Sequence, residues 1–178
     1  MNRRSAIRTF VIVSAGAGLL PACLQKDKKV SIALNNLKID GNQEELVASL
    51  AETILPTTNT PGAKSLLSHQ YVWMMVDDCF NKQDQEKFMK GMQAFEKLAA
   101  AKLGHSFAEA TPEQKKSMLT AVEGKKDIPD EASSFYGTVK WLTIQSFTGS
   151  KYFLTEVRHF EMVPGRFYGC FPVTTNKA

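Results

Sequence analysis

Reactive side chains are scarce in this chain: its 178 residues include three cysteines and three histidines. His69, His105 and His159 have no ligand spacing, and none stands beside a carboxylate in a metal-site pattern. No C-x-x-C-H occurs, so no c-type haem is attached, and three cysteines are too few for an iron–sulfur cluster if one is acylated. No G-x-G-x-x-G follows a strand-like run, which excludes a dinucleotide-binding fold. No Ser-His-Asp constellation or nucleophile elbow is visible. The chain by itself is therefore expected to turn over no substrate.

Two further absences narrow the class. The apolar run from Phe10 to Leu20 is far shorter than the roughly 20 residues a membrane-spanning helix needs. A strong charge of one sign is also missing. The formal net charge is +4, but Arg3, Arg4 and Arg8 all precede Cys23. Setting those three aside leaves 19 basic against 18 acidic residues. Lys28-Lys29, Lys115-Lys116 and Lys125-Lys126 are scattered doublets without interleaved aromatics, unlike a phosphate-tracking stripe. No nucleic-acid partner is expected.

What is present begins with an export signal over residues 1–22. Arg3-Arg4 supply the charged start, an apolar stretch with Gly16 and Gly18 follows, and Pro21-Ala22-Cys23 closes it. Adjacent arginines before Ser5-Ala6-Ile7-Arg8 resemble a twin-arginine signal, the route for already folded proteins. Leu20-Pro21-Ala22-Cys23 resembles a lipoprotein box, with Cys23 as the acylated residue; the alternative is an ordinary cleaved signal with an incidental cysteine. Several acyl chains, each buried methylene contributing about 0.8 kcal/mol, would hold the domain at the periplasmic face of a bacterial membrane. Residues 23–41 read as the tether, reaching at most about 60 Å. Alternation from Val30 to Leu34 suggests a short strand or a segment lying on the domain.

Residues 42–178 read as an all-α domain, a compact bundle of about five helices with an irregular aromatic C-terminal segment. Asn42 is placed to cap the first helix, whose apolar face holds Leu46, Leu50 and Ile54. Pro56, a Thr/Asn run and Pro61-Gly62 make a rigid corner. The second helix is expected from Lys64 to Phe80, its inner face formed by Leu67, Tyr71, Met74, Met75, Val76 and Cys79. A third over 84–103 carries Phe88, Met92, Phe95, Ala99 and Leu103 on one stripe, and Gly104 stops it. Thr111-Pro112-Glu113-Gln114 opens a fourth, which turns Met118, Leu119 and Val122 inward and ends at Gly124. Asp130 caps the last, which turns Phe135, Val139, Leu142 and Phe147 inward and Tyr136, Trp141 and Ile144 to other neighbours.

Beyond Gly149 the chain is rich in rings: Tyr152, Phe153, Phe160, Phe167, Tyr168 and Phe171. They either pack on the bundle or dock a partner, and Phe160, Phe167, Tyr168 and Phe171 are the candidate docking residues. With Cys23 acylated, Cys79 and Cys170 are the remaining thiols, and an oxidising compartment favours joining them. A loop of about 90 residues closed in this way is worth on the order of 4 kcal/mol. Cys79 reads otherwise as a small buried apolar residue. Among polar candidates, His69 reads as a surface or semi-core histidine. Asp77 and Asp78 sit in a helix's last turn, where a carboxylate is mildly unfavourable against the dipole. One of them is thus expected to have a specific partner.

The block Glu52-Thr53-Ile54-Leu55-Pro56-Thr57-Thr58-Asn59-Thr60-Pro61-Gly62-Ala63, leading to Asp77-Asp78-Cys79, resembles the gluconate 2-dehydrogenase subunit 3 family. The run from Val163 to Pro172 looks like that family's ending, so the resemblance covers roughly residues 42 to 172. It implies a non-catalytic small subunit of an FAD-dependent dehydrogenase that oxidises a sugar, sugar acid or other alcohol. The large subunit would be a flavoprotein of the glucose-methanol-choline type, and a c-type cytochrome often passes the electrons onward. No cofactor is expected in this chain; FAD belongs to the large subunit and haem to the cytochrome. In such complexes the small subunit carries the twin-arginine signal for a signal-less large subunit. The lipoprotein box departs from the family's simplest pattern and makes this subunit a candidate anchor. The competing readings are a free-standing lipid-anchored protein binding a small ligand, and an enzyme using Asp77 or His69.

Overall fold

The computed structural model describes residues 29–125, 127–163, 165 and 169–170. Among them are five α-helices, one 3-10 turn, one π-helical turn and no strand, as the all-α reading expects. In chain order α1 is Gly41–Ile54, α2 Ser68–Cys79, α3 Lys82–Leu103, α4 Pro112–Glu123 and α5 Asp130–Thr148. The 3-10 turn Phe107–Glu109 separates α3 from α4, and the π turn Phe153–Val157 follows α5.

Most boundaries follow from local chemistry. α1 starts two residues earlier than Asn42 implies, because Asp40 is the cap: its carboxylate accepts from the N–H groups of Asn42 and Gln43. The Gln43 side chain accepts in return from the Asp40 N–H, completing a capping box. Thr111 and Gln114 form a second box, with Pro112 at the first helical position. Asn81 caps α3, and Gly104 ends it with φ 78°, a left-handed conformation that favours glycine. Asp130 is the first residue of α5 rather than its cap, which is Pro129.

The corner between α1 and α2 is built on Glu52. One carboxylate oxygen accepts from the Thr57 N–H and hydroxyl at 3.1 and 3.0 Å, the other from the Lys64 N–H at 2.7 Å. Gly62 lies so close to Thr57 that a Cβ there would sit 2.5 Å from the Thr57 nitrogen. Turn bonds follow, with the Leu66 N–H donating to the Gly62 carbonyl and the Leu67 N–H to that of Lys64, and α2 begins at Ser68, four residues later than expected.

α3 and α5 cross at the centre. Gly91 makes the crossing close: a Cβ on it would meet the Glu131 carbonyl oxygen at 2.6 Å. Phe135 of α5 then packs against Phe88 and Phe95 of α3, with ring centroids 4.9 and 5.7 Å apart. Trp73 meets Phe88 edge-on, and Phe107 does the same to Phe95. Leu50, Val72, Val76, Val122, Val139 and Leu142 complete a fully buried centre.

Two peripheral segments lie on this bundle. Residues 29–40 form an irregular strap whose Ile32, Leu34, Leu37 and Ile39 pack, partly buried, against the core. The alternation from Val30 to Leu34 is therefore a segment lying on the domain and not a strand. After α5, Tyr152 and Phe153 fold back onto Phe147, with centroids 6.4 and 5.4 Å away.

Candidate partner-docking surface

α2 carries large apolar side chains on both flanks. Its buried residues are Ser68, His69, Val72, Trp73, Val76 and Asp77. The stripe expected to face inward is rotated: Leu67 and Met74 are 52% and 45% exposed, Tyr71 and Met75 are half-buried, and only Val76 is fully inside. Trp73 explains the rotation, since the larger ring takes the central position against Phe88. Val72 and Val76 follow it in, and the Leu67–Met74 side is left to solvent. A helix that is apolar all round is ordinarily covered on both sides.

α5 repeats this. Ala132, Phe135, Tyr136, Val139, Leu142 and Thr143 are buried, while Trp141 is 53% exposed and Ile144 is also exposed. Tyr136 joins the core, where its hydroxyl donates to Glu123 at 2.6 Å; Lys140 donates to the same oxygen. Burial and the neighbouring Glu123 carboxylate push the Tyr136 phenol far above its ordinary range, and the two donors hold Glu123 below the usual carboxylate value. The two helices lie side by side, with the Ser146 hydroxyl donating to the Ser68 hydroxyl at 3.0 Å. Beyond α5, Val157, Phe160, Met162 and Val163 are exposed, Phe160 by 60%. Among the described residues, every large apolar side chain that is exposed lies at the start of α2, on α2, on α5 or in this C-terminal segment. Trp, Met and Phe in such a setting are the composition of a protein–protein interface core.

The polar candidates have structural roles. Asp77, 2% exposed, accepts from the backbone N–H groups of Asn35, Asn36 and Leu37 at 2.7, 2.9 and 2.7 Å. This is the specific partner that its unfavourable place in the last turn of α2 implied. His69 is buried with Nε2 3.5 Å from Glu44, and its Nδ1 has no partner among the described residues. Burial holds its imidazole below the ordinary value of 6.5, with Glu44 opposing and Lys64 adding to the depression. Ser31 completes the cluster in the wrong order for acyl chemistry: its hydroxyl donates to Glu44, not to the histidine. No base is aimed at a nucleophile there.

A surface cleft of about 530 Å³ lies where α1 meets α4, bordered by Glu45, Ser49, Glu52, Lys64, Lys115 and Lys116. Its lysines are partly engaged, since Lys115 donates to the Ala108 carbonyl at 2.9 Å. Among the described residues no group of three or more His, Cys, Asp or Glu is placed to hold a metal ion, and no helix is long and apolar enough to cross a membrane.

Of the expected docking residues, Phe160 is described and exposed. The expected Cys79–Cys170 bridge is a correction: both thiols are free and exposed. Cys79 is the exposed last residue of α2, and its sulfur lies 3.9 Å from that of Met75. A disulfide needs Cα atoms within about 7 Å, and Cys170 does not reach the end of α2. Arg3, Arg4, Cys23, Phe167, Tyr168 and Phe171 lie outside the described residues. Leu67, Met74 and Trp141 were not legible as docking residues. The available signal was α2's double apolar flank, which periodicity alone assigns to one side.

No curated protein and no solved structure matches the chain. One protein-family model does match, from the residue that opens α1 to Gly165, past the π turn, and so across all five helices. By that match over residues 41–165, the chain belongs to the gluconate 2-dehydrogenase subunit 3 family.

Proposed function

We propose that this chain is the non-catalytic small subunit that escorts, stabilises and membrane-anchors an FAD-dependent dehydrogenase acting on a sugar, sugar acid or other alcohol. Family membership makes it a subunit of a dehydrogenase complex. The observation that carries the docking role is the exposure of Leu67 just before α2, of Met74 on it, and of Trp141 and Ile144 on the adjoining α5. A glucose-methanol-choline-type flavoprotein would cover that face, and Phe160 with the ring-rich segment after it would extend the contact. Arg3-Arg4 support an escort role, because a flavoprotein must take up FAD and fold before twin-arginine export. Cys23 supports a lipid anchor on the periplasmic side, and a c-type cytochrome would accept the electrons.

The test is native purification. The lipidated chain extracted from envelopes should bring down a yellow, FAD-containing polypeptide, and Trp141→Glu should release it. Recovery of the chain alone as a monodisperse monomer would overturn the proposal. It would favour the small-ligand binder, for which the cleft between α1 and α4 is the site to examine.

A further inference from the structure

Two buried carboxylates hold one irregular stretch of main chain. Asp77 takes three consecutive backbone N–H groups from residues 35–37, and its own carbonyl accepts from the Asn36 side chain at 2.9 Å. Glu44 takes the N–H of Ser31 at 2.7 Å together with its hydroxyl, which also accepts from Gln70 at 3.0 Å. Charge-assisted bonds of this kind are about twice as strong as neutral ones. Between these two points the strap is lightly held. Its apolar residues are only partly buried, and among the described residues no backbone–backbone bond ties 30–39 to a helix. The strap also lies outside the family match, whereas Asp77 and Glu44 lie within it. In this chain, then, both acids lie within the matched region and take their partners from residues that precede it.

We propose that residues 30–39 are a latch: a strap that opens as one unit while the helices stay folded, fastened chiefly at Asp77. Segments with few buried contacts and concentrated polar ties are the ones that open locally below the global unfolding free energy. The latch grips α2 from its buried side through Asp77, Glu44 being fixed on α1 beside His69. Seating it therefore steadies the helix whose outer side presents Leu67 and Met74. That consequence for docking rests on the function proposed above; the latch itself rests only on the strap's contacts.

Lys38 is exposed within the strap and reports on opening through tryptic cleavage of the full chain. Asp77→Asn replaces one accepting oxygen with a donor facing an N–H. Asn36→Pro removes a donor from the strap and leaves every helix residue native. Both variants should be cut after Lys38 at least about tenfold faster than the parent, since protection scales with the opening equilibrium. Hydrogen exchange should quicken in α2 and stay unchanged at the α3–α5 crossing. Three results would overturn the latch: native cleavage rates in both variants, acceleration in only one of them, or loss of protection at the α3–α5 crossing together with the strap. No partner protein enters the assay, so a failed docking model would leave its result intact.

Discussion

Asp77 shows why a helix's last turn is informative at the level of one residue. Its carboxylate opposes the helix dipole and is almost fully buried, so it needs donors, and Asn35, Asn36 and Leu37 supply them. The requirement for a partner was legible in the sequence; the partner, some forty residues upstream, was not. His69 gives a pH dependence. Burial disfavours its charged form, so below 6.5 the unfolded chain binds a proton that the folded chain resists. Stability should therefore fall as pH drops through that value, despite the partial compensation from Glu44. Urea midpoints at pH 7.5 and 5.5 will show the decline in the parent and a shallower one in His69→Gln. Gly91 gives a steric prediction. Gly91→Ala places a methyl 2.6 Å from the Glu131 oxygen and 2.8 Å from the Phe135 Cβ. Overpacking of this kind costs about 1–3 kcal/mol, which equilibrium unfolding will register. Nothing in the local pattern marked Gly91, because a glycine inside a helix reads the same whether it faces water or another backbone.

At the scale of the element, helices with strong end signals and a single apolar stripe are the legible ones. α3 keeps Phe88, Met92, Phe95 and Ala99 inside as its period requires. α4 starts and stops on Thr111 and Gly124. α2 has no side-chain cap, begins after a left-handed Leu67, and offers two apolar flanks. Periodicity cannot choose between such flanks; the fit of Trp73 against Phe88 does. The outer flank then yields a prediction that separates docking from stability. Met74→Glu and Trp141→Glu, both on solvent-facing sides, should each change unfolding free energy by no more than about 0.5 kcal/mol. The double variant should lose the co-purifying flavoprotein. A large drop in stability with retained binding would mean that these residues serve the fold.

For the whole molecule, the bundle belongs to a family named for a dehydrogenase subunit. Arg3→Lys with Arg4→Lys should strand the flavoprotein in the cytoplasm if this chain supplies the export address; cell fractionation with an FAD assay reads the outcome. The strap also shortens the expected tether. With residues 30–39 seated, the covalent reach from Cys23 to Val30 is at most about 25 Å, less than half of that expected when the tether ran to Gly41. The sequence by itself determined the helical class, most of the starts and stops and the rigidity of the Pro56–Gly62 corner. Caps, breakers and periodic stripes act within a few residues of where they stand. Only the tertiary structure decided which flank of α2 faces out, where residues 30–39 are fastened, that α3 and α5 cross at Gly91, and that Cys79 and Cys170 stay apart. Each of these depends on groups dozens of residues away, whose meeting is set by how bulky rings fill a shared core and not by any local preference.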